Sequence, residues 1–339
     1  MSSPQHILVV APSWVGDAVL SQPLLCRLKA RNPECVIDVL APPWTRAVFE
    51  RMPQVTAVHD LPFAHGELAL RKRYALAQNL AKHEYTQAFV LPNSLKSALI
   101  PFFARIPRRT GYVGEARWGL VNDARKLDKQ ALPLMIERFA ALAEDENASS
   151  LRALAEVSLR IDVVARDATL KKLGLAATPR VAVLCPGAEY GPAKRWPIEY
   201  FGALAQRFSA DGWQVWIAGS NKDATVGADI VKAADGKCIN LCGRTTLAEA
   251  IDLMSCAGHV VSNDSGLMHV AAALDRPLTA LYGSSSPAFT PPPSLHARIV
   301  KTGIACSPCF KRECPLGHFK CMRELSVDTV WHEIAMATA

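Results

Sequence analysis

The sequence predicts an α/β protein of two consecutive domains, each built on a parallel sheet. Three observations carry this. Short apolar runs alternate with longer stretches of helical periodicity through the first half, and near residue 180 the same rhythm begins again. Strands separated by amphipathic helices imply right-handed crossovers and a sheet covered on both faces. A chain of 339 residues, half of them apolar, also has enough material for two cores.

In the first domain the strands are "HILVV" (6–10), "VIDVLA" (36–41), "TAVHDL" (56–61) and "QAFVL" (87–91), with helices over 18–31, 45–52, 67–82 and 94–105. In the second they are "RVAVLCPG", "QVWIAGS" (214–220), "CINLCG" (238–243), "HVVSND" (259–264) and "PLTALYG" (277–283), with helices over 197–210, 222–235, 246–256 and 265–274. Residues 147–179, with "NASS" and "LGLAATP", read as a linker region. The domains are expected to span 1–175 and 176–325, followed by a C-terminal helix over 326–339. Ligands of such sheets bind beyond the carboxyl ends of the strands, so the strand-to-helix loops of both domains are expected to face a cleft.

The net charge of +7 is spread along the chain apart from local groups such as "RKR" (71–73) and "RIPRR" (105–109), which does not indicate nucleic acid. Solvated structural charge, a phosphorylated small molecule and an anionic membrane face all fit it. No apolar run reaches the length of a membrane span, and "MSSPQH" lacks the features of a secretion signal, so a cytoplasmic protein is expected. In that compartment ten cysteines are not a disulfide framework. Six of them, Cys26, Cys185 and Cys256 included, sit in apolar contexts and read as core residues.

No GxGxxG follows "HILVV", and no Walker lysine motif occurs anywhere, which weakens the case for a dehydrogenase or a P-loop enzyme. Three other loops follow strands. "APSWVGDAVL" (11–20) holds Gly16 and Asp17 at a helix start, where Asp17 is either an ordinary dipole-stabilised carboxylate or a proton acceptor. "PGAEYGPAKRWP" (186–197) presents Lys194 and Arg195 before a helix, as a solvated turn or as a phosphate-binding loop. "SNDSGLMH" (262–269) puts Asn263, Asp264, Ser265 and Gly266 at a helix start. Its N–H groups suit a phosphate, while Asp264 would repel one and is left to cap the helix or to face sugar hydroxyls. His269, a turn later, reads first as a packed histidine. Near the C-terminus Cys306, Cys309, Cys314 and Cys321 are spaced C-x2-C-x4-C-x6-C. They could close a structural zinc site, with His318 able to replace one thiolate, remain free thiols, or serve a redox or iron–sulfur role.

Together these loops resemble the ADP-heptose:lipopolysaccharide heptosyltransferases of glycosyltransferase family 9. The resemblance rests on "APSWVGDAVLSQPLL" (11–25), "LPNSLKSALIPFFARIPRRTGYVGEARWGLVND" (91–123), "PGAEYGPAKRWP", "SNDSGLMHVAAAL" (262–274) and "CSPCFKRECPLGH", strings that span almost the whole chain. It implies a GT-B fold of two Rossmann-like domains, the first taking the lipid-linked acceptor and the second the nucleotide sugar. It further implies inverting, metal-independent transfer of L-glycero-D-manno-heptose from ADP-heptose to heptosyl-Kdo-lipid A, in a peripheral protein at the inner face of the inner membrane.

Position by position, the resemblance makes Asp17 the base, Lys194 the diphosphate ligand and Asp264 the donor-sugar carboxylate. Ser265, Gly266 and His269 match the donor-phosphate loop, and Thr245 and Leu247 border the adenosine. Glu189 and Tyr190 stand where related enzymes carry adjacent threonines. Gly16 lets the backbone approach the acceptor, and Lys96, Arg105, Arg108 and Arg109 are the candidates for its phosphates. Two other readings keep the same loops: a GT-B enzyme with another donor or acceptor, and a nucleotide-sugar-binding protein without catalysis.

Overall fold

The structure, a computed structural model, describes residues 5–64, 66–145 and 153–338. The chain divides at Val157/Ser158 into two units. The first runs β1 (His6–Val10), α1 (Val15–Leu20), α2 (Gln22–Arg31), β2 (Val36–Ala41), α3 (Arg46–Glu50), β3 (Ala57–Asp60), α4 (Leu70–Ala81), β4 (Gln87–Val90), α5 (Leu95–Phe103), β5 (Arg108–Tyr112), β6 (Asp123–Arg125) and α6 (Met135–Ala141). The second runs α7 (Val163–Leu173), β7 (Val181–Cys185), α8 (Ile198–Ala210), β8 (Gln214–Ile217), α9 (Ala224–Ala233), β9 (Ile239–Asn240), α10 (Leu247–Met254), β10 (His259–Asn263), α11 (Gly266–Ala273), β11 (Leu278–Leu281), β12 (Ala297–Val300), α12 (Lys320–Arg323) and α13 (Val327–Thr338).

Each unit is an all-parallel six-stranded sheet. The orders are β3-β2-β1-β4-β5-β6 and β12-β11-β10-β7-β8-β9. Both therefore start at a central strand, wind to one edge and return to wind to the other. The reversal opens a crevice at the carboxyl ends of β1 and β4 in one sheet and of β7 and β10 in the other. The central strands are apolar throughout because helices cover both their faces: β4, β7, β10 and β11 are wholly buried. Leu8, Val10, Leu40 and Val90 share the first core with Ala98 and Ile100 of α5. Leu184, Phe201, Leu204, Phe208 and Val261 share the second with Val330 and Ile334 of α13, so the C-terminal helix is part of that domain's core.

The elements differ from the sequence expectation in four places. The helix expected over 18–31 breaks at Ser21 into α1 and α2, because Pro23 lacks the N–H that would continue α1. Strands β5, β6 and β12 lie toward the sheet edges and are short or partly exposed, so no apolar run announces them. The expected linker 147–179 contains α7, capped by the Asp162 carboxylate on the Ala165 N–H and ended by Gly174 at φ 67°. Its first residues, through 152, lie outside the described ones. Helix α7 joins the second unit: Asp252 accepts the Asp162 N–H at 2.9 Å, Leu159 bonds to Ala273, and Lys172 pairs with Glu249 at 2.8 Å. The dividing point is accordingly Val157/Ser158 where 175/176 was expected.

Within "RKR", Arg73 is not solvated charge. It is buried, donates to the Leu68, Glu67 and Lys96 carbonyls, and lies over the Phe63 ring.

Gly202 shows how closely the second domain is packed. A Cβ there would stand 2.5 Å from the Ala233 Cβ and 2.9 Å from the Ala233 carbonyl carbon, where α8 crosses α9. Alanine would add about 1 kcal/mol of helix propensity, but overpacking against backbone costs about 1–3 kcal/mol. Gly202→Ala is expected to lower the urea midpoint of the second domain's transition, followed by the fluorescence of the buried Trp196 and Trp216; an unchanged or raised midpoint would show that the helices separate without cost.

Candidate active site

In the first domain the candidate residues gather where β1 ends. Trp14 is extended at the N-cap of α1 with no side-chain cap, which puts Gly16 and Asp17 in the first turn, half-buried. The Trp44 indole N–H donates to the Ser13 carbonyl at 2.7 Å and so ties this loop to the one after β2. Across the crevice, the β4–α5 loop is held by Arg117, which is buried among neutral acceptors: the Pro92 carbonyl at 2.6 Å, the Asn93 amide oxygen at 3.0 Å and the Tyr112 carbonyl. Burial pulls the Arg117 pKa down. Glu115 accepts the Leu95 N–H at the start of α5, and Lys96 follows one residue later, half-buried.

Gly16, Asp17 and Lys96 thus lie at the carboxyl end of the first sheet. The three arginines do not. Arg108 and Arg109 open β5, level with Gln87 and Ala88 at the beginning of β4, and Arg105 precedes them. Arg108 pairs with Asp123 at 2.9 Å, while Arg109 is spent on the Ile106, Leu120 and Gly119 carbonyls. Because the strands are parallel, these residues sit at the opposite end of the sheet from Asp17, and the structure does not bring them together with it.

In the second domain the loops after β7 and β10 meet. The Asn263 amide donates to the Pro186 carbonyl at 2.7 Å and accepts the Trp196 backbone N–H at 3.1 Å, so one buried side chain holds both ends of the 186–197 loop. That loop delivers Lys194 to Asp264, Nζ to Oδ2 at 2.6 Å, with both side chains largely buried. Spacing did not foresee this pair. An ammonium has three donors, and this contact uses one.

Tyr190 lies over the lysine, its ring centre 5.1 Å from Nζ, and its hydroxyl donates to the Phe310 carbonyl at 2.8 Å. Glu189 turns outward to an ion pair with Lys222. At Gly191, φ is 158° and a Cβ would stand 2.4 Å from the Arg312 carbonyl oxygen, which accepts the Ala193 N–H at 3.0 Å. Only glycine permits that approach.

Helix α11 begins beside the pair. Its N-cap Ser265 makes no capping hydrogen bond, and Gly266 opens the helix. The first-turn N–H groups and the dipole therefore favour an anion next to Lys194. His269 is buried one turn later, with Nδ1 lacking a partner among the described residues, and Ser284 and Ser285 in the loop after β11 bury hydroxyls in the same state. Sequence reading missed Asn263's bridging role, Arg117 and these two serines. For the serines the only signal was their place just past "PLTALYG". Thr245 and Leu247 sit around the start of α10, and Thr245 lines an apolar hollow with Ala218, Leu241 and Met254 at the ends of β8 and β9.

Cys306, Cys309 and Cys314 occupy the loop that supports Tyr190 and Gly191, and Cys321 follows in α12. Burial pushes the Cys321 thiol up, and Cys309, Cys306 and Cys314 are near enough to add to the shift. Cys314 is pulled down by the Phe319 N–H, which donates to its sulfur at 3.4 Å, and by neighbouring N–H groups. Among the described residues no three of the sulfurs draw together to metal-ligand spacing.

His259 and His269 are buried neutral, and desolvation lowers each pKa to about 4 from 6.5. The unfolded chain takes these protons below about pH 6.5 while the folded chain refuses them until about pH 4. The stabilisation is thus present above pH 6.5 and is lost as the pH falls toward 4. Urea melts at stepped pH are expected to show the second domain weakening across this window while both ring signals, followed by NMR, stay neutral; titration of either ring near pH 6.5 in the folded protein would contradict the burial.

Residues 73–320 match the model of glycosyltransferase family 9 (heptosyltransferase). The chain is 44% identical to lipopolysaccharide heptosyltransferase 2 of Salmonella typhimurium, over 97% of each chain. The structure of E. coli ADP-heptose LPS heptosyltransferase II superimposes with a TM-score of 0.89 at 41% identity, covering 98% of each chain. A family 9 glycosyltransferase from Veillonella parvula, 21% identical and covering 98% of this chain and 97% of its own, shares the fold at a TM-score of 0.84. Two Rossmann-ordered parallel domains of the GT-B type, matched along their whole length, place the chain in glycosyltransferase family 9, the heptosyltransferases, and make it a glycosyltransferase.

Proposed function

We propose that the chain transfers L-glycero-D-manno-heptose from ADP-heptose to heptosyl-Kdo-lipid A by a single inverting displacement. The observation that carries this is the Lys194–Asp264 pair set against the open start of α11, a built anion site at the switch point of the second sheet. Asp17 takes the acceptor hydroxyl proton as the oxygen bonds to the anomeric carbon. The bond from that carbon to the diphosphate breaks, and ADP leaves with its electron pair. Lys194 keeps donors for the diphosphate, and the α11 N–H groups meet the growing charge, so fixed protein groups supply what a divalent ion would otherwise provide.

Asp264 holds Lys194 and accepts from a sugar hydroxyl, Ser265, Gly266 and His269 complete the phosphate side, and Thr245 and Leu247 border the adenosine. Tyr190 steadies Lys194, and Glu189 stays at the rim. Gly16 and Lys96 face the acceptor. Arg105 and Arg108, at the far end of the sheet, are left to its outlying phosphates, and Arg109, held by backbone carbonyls, is not.

A lipid-linked acceptor puts the protein at the cytoplasmic face of the inner membrane. No helix among the described residues is long and apolar enough to cross a membrane, and contact is peripheral in this reading. Trp14 and Trp118, which are 45% and 80% exposed in loops beyond β1 and β5, suit a headgroup layer.

The test offers ADP-heptose with either Kdo-lipid A or heptosyl-Kdo-lipid A and weighs the products. Only the latter is expected to gain one heptose, and Asp17→Asn is expected to slow that transfer by about 100-fold or more with ADP-heptose affinity little changed. Extension of Kdo-lipid A alone would move the acceptor back one sugar. Unchanged turnover in Asp17→Asn would remove the base.

The cysteine loop is proposed as a structural zinc site. Its four thiols and the N–H groups around Cys314 suit a tetrahedral thiolate centre, though the sulfurs would have to close on the ion. Elemental analysis is expected to find zinc that falls by one ion per chain in Cys309→Ser; zinc-free protein of normal stability would leave four thiols.

A further inference from the structure

The first domain gathers a second set of donors away from the reaction. His6 opens β1, Asp38 lies in β2 level with Leu8, His59 lies in β3 level with Leu40, and His83 precedes β4, so four chain segments converge on one place beside the sheet. One ligand atom from each of Asp38, His59 and His83 lies within 4.8 Å of the other two. His6 Nε2 is 3.1 Å and His59 Nε2 3.3 Å from the same Asp38 oxygen, Oδ2, which also accepts the Tyr85 hydroxyl at 2.8 Å.

We propose that this cluster binds one divalent transition-metal ion through Asp38, His59 and His83, with His6 as a fourth donor.

The hydrogen bonds leave a place for a cation here. His6 Nδ1 is 2.8 Å from the His83 carbonyl oxygen, which only accepts, so Nδ1 carries the hydrogen. A neutral His6 then turns the lone pair of Nε2 toward an anionic carboxylate oxygen, and two acceptors at 3.1 Å repel. A second proton on His6 would relieve that contact, but it leaves the His83 ring only its packing against Tyr85 and His59. It also leaves Asp38 Oδ1, buried and without a partner among the described residues, unanswered. A metal ion uses all of them.

The donor set selects the class of ion. Imidazoles with one carboxylate suit zinc, cobalt, nickel and copper, whereas magnesium and calcium prefer oxygen alone. Tyr85, donating to the ligating carboxylate, supplies the outer support that such sites use. Metal–ligand bonds of about 2 Å require the rings to move inward; His83 is exposed, so it is free to swing, and it leaves the ion a path from solvent. The ion would clamp the segments of β1, β2, β3 and β4 together. It takes no part in transfer: His6 begins β1, and Asp17 follows that strand's far end.

Cobalt(II) titrated into the metal-stripped full chain tests this, because thiolate ligation adds sulfur-to-cobalt absorption in the near ultraviolet and imidazole or carboxylate ligation does not. The expected result in Cys309→Ser, where the cysteine site cannot close, is a saturable, sulfur-free visible spectrum from one ion per chain. Its affinity should fall at least tenfold when either His83→Ala or His59→Gln is added to Cys309→Ser, with near-ultraviolet circular dichroism retained. Absence of a sulfur-free spectrum, or one that both histidine variants leave intact, would overturn the site and leave a protonated His6 in its place.

Discussion

The two sheets depend on one topological constraint. A parallel sheet wound both ways from its centre must leave the loops at its reversal point uncovered by crossover helices. Here that constraint acts twice. It leaves the loops after β1 and β4 open in one domain and those after β7 and β10 open in the other. Every group assigned to the chemistry, Asp17, Lys96, Lys194 and Asp264, lies on one of those four loops or in the first turn beyond it. The buried strands beneath them provide rigidity, and the loops carry the function.

The two open ends are finished differently. In the first domain the charges that organise the loops are already satisfied: Arg117 by three neutral acceptors and the start of α5 by Glu115. In the second, positive potential is left unspent. Lys194 has one carboxylate for three donors, and α11 starts without a side-chain cap. A domain that keeps donors open suits a diphosphate, and one that keeps a carboxylate at a helix start suits a hydroxyl. On the proposed assignment, this asymmetry would account for the missing glycine-rich phosphate fingerprint after β1.

Much of this was legible in the sequence. The apolar runs at 6–10, 36–41, 87–91, 181–185 and 259–263 became central strands because both faces of such strands are buried, which apolar composition records directly. Strands such as "RRTGY" escaped because their first residues are charged and meet solvent, although β5 pairs with both β4 and β6. Helix α7 escaped because its apolar residues form no single stripe, although Asp162 and Gly174 marked its ends. At the site, residue types and loop positions were readable, and the resemblance of whole loops supplied roles. Pairings were not readable. Lys194 and Asp264 stand seventy residues apart in sequence, and nothing local says that they touch. Nor does a charge count distinguish Arg73 and Arg117, buried on carbonyls, from solvated arginines.

The contact between Gly191 and the Arg312 carbonyl links two segments that composition alone would treat separately. The loop that carries Lys194 is seated on the cysteine loop through that carbonyl, the Tyr190 hydroxyl on Phe310, and the Arg312 guanidinium over the Tyr190 ring. Neither segment has freedom to drift in evolution by itself. A lineage that shortens the cysteine loop withdraws the carbonyl and frees position 191 to acquire a side chain, whereas one that keeps the loop is bound to glycine there. The cysteine loop and the phosphate loop should therefore be inherited as a single unit, exchanged whole between descendants or not at all.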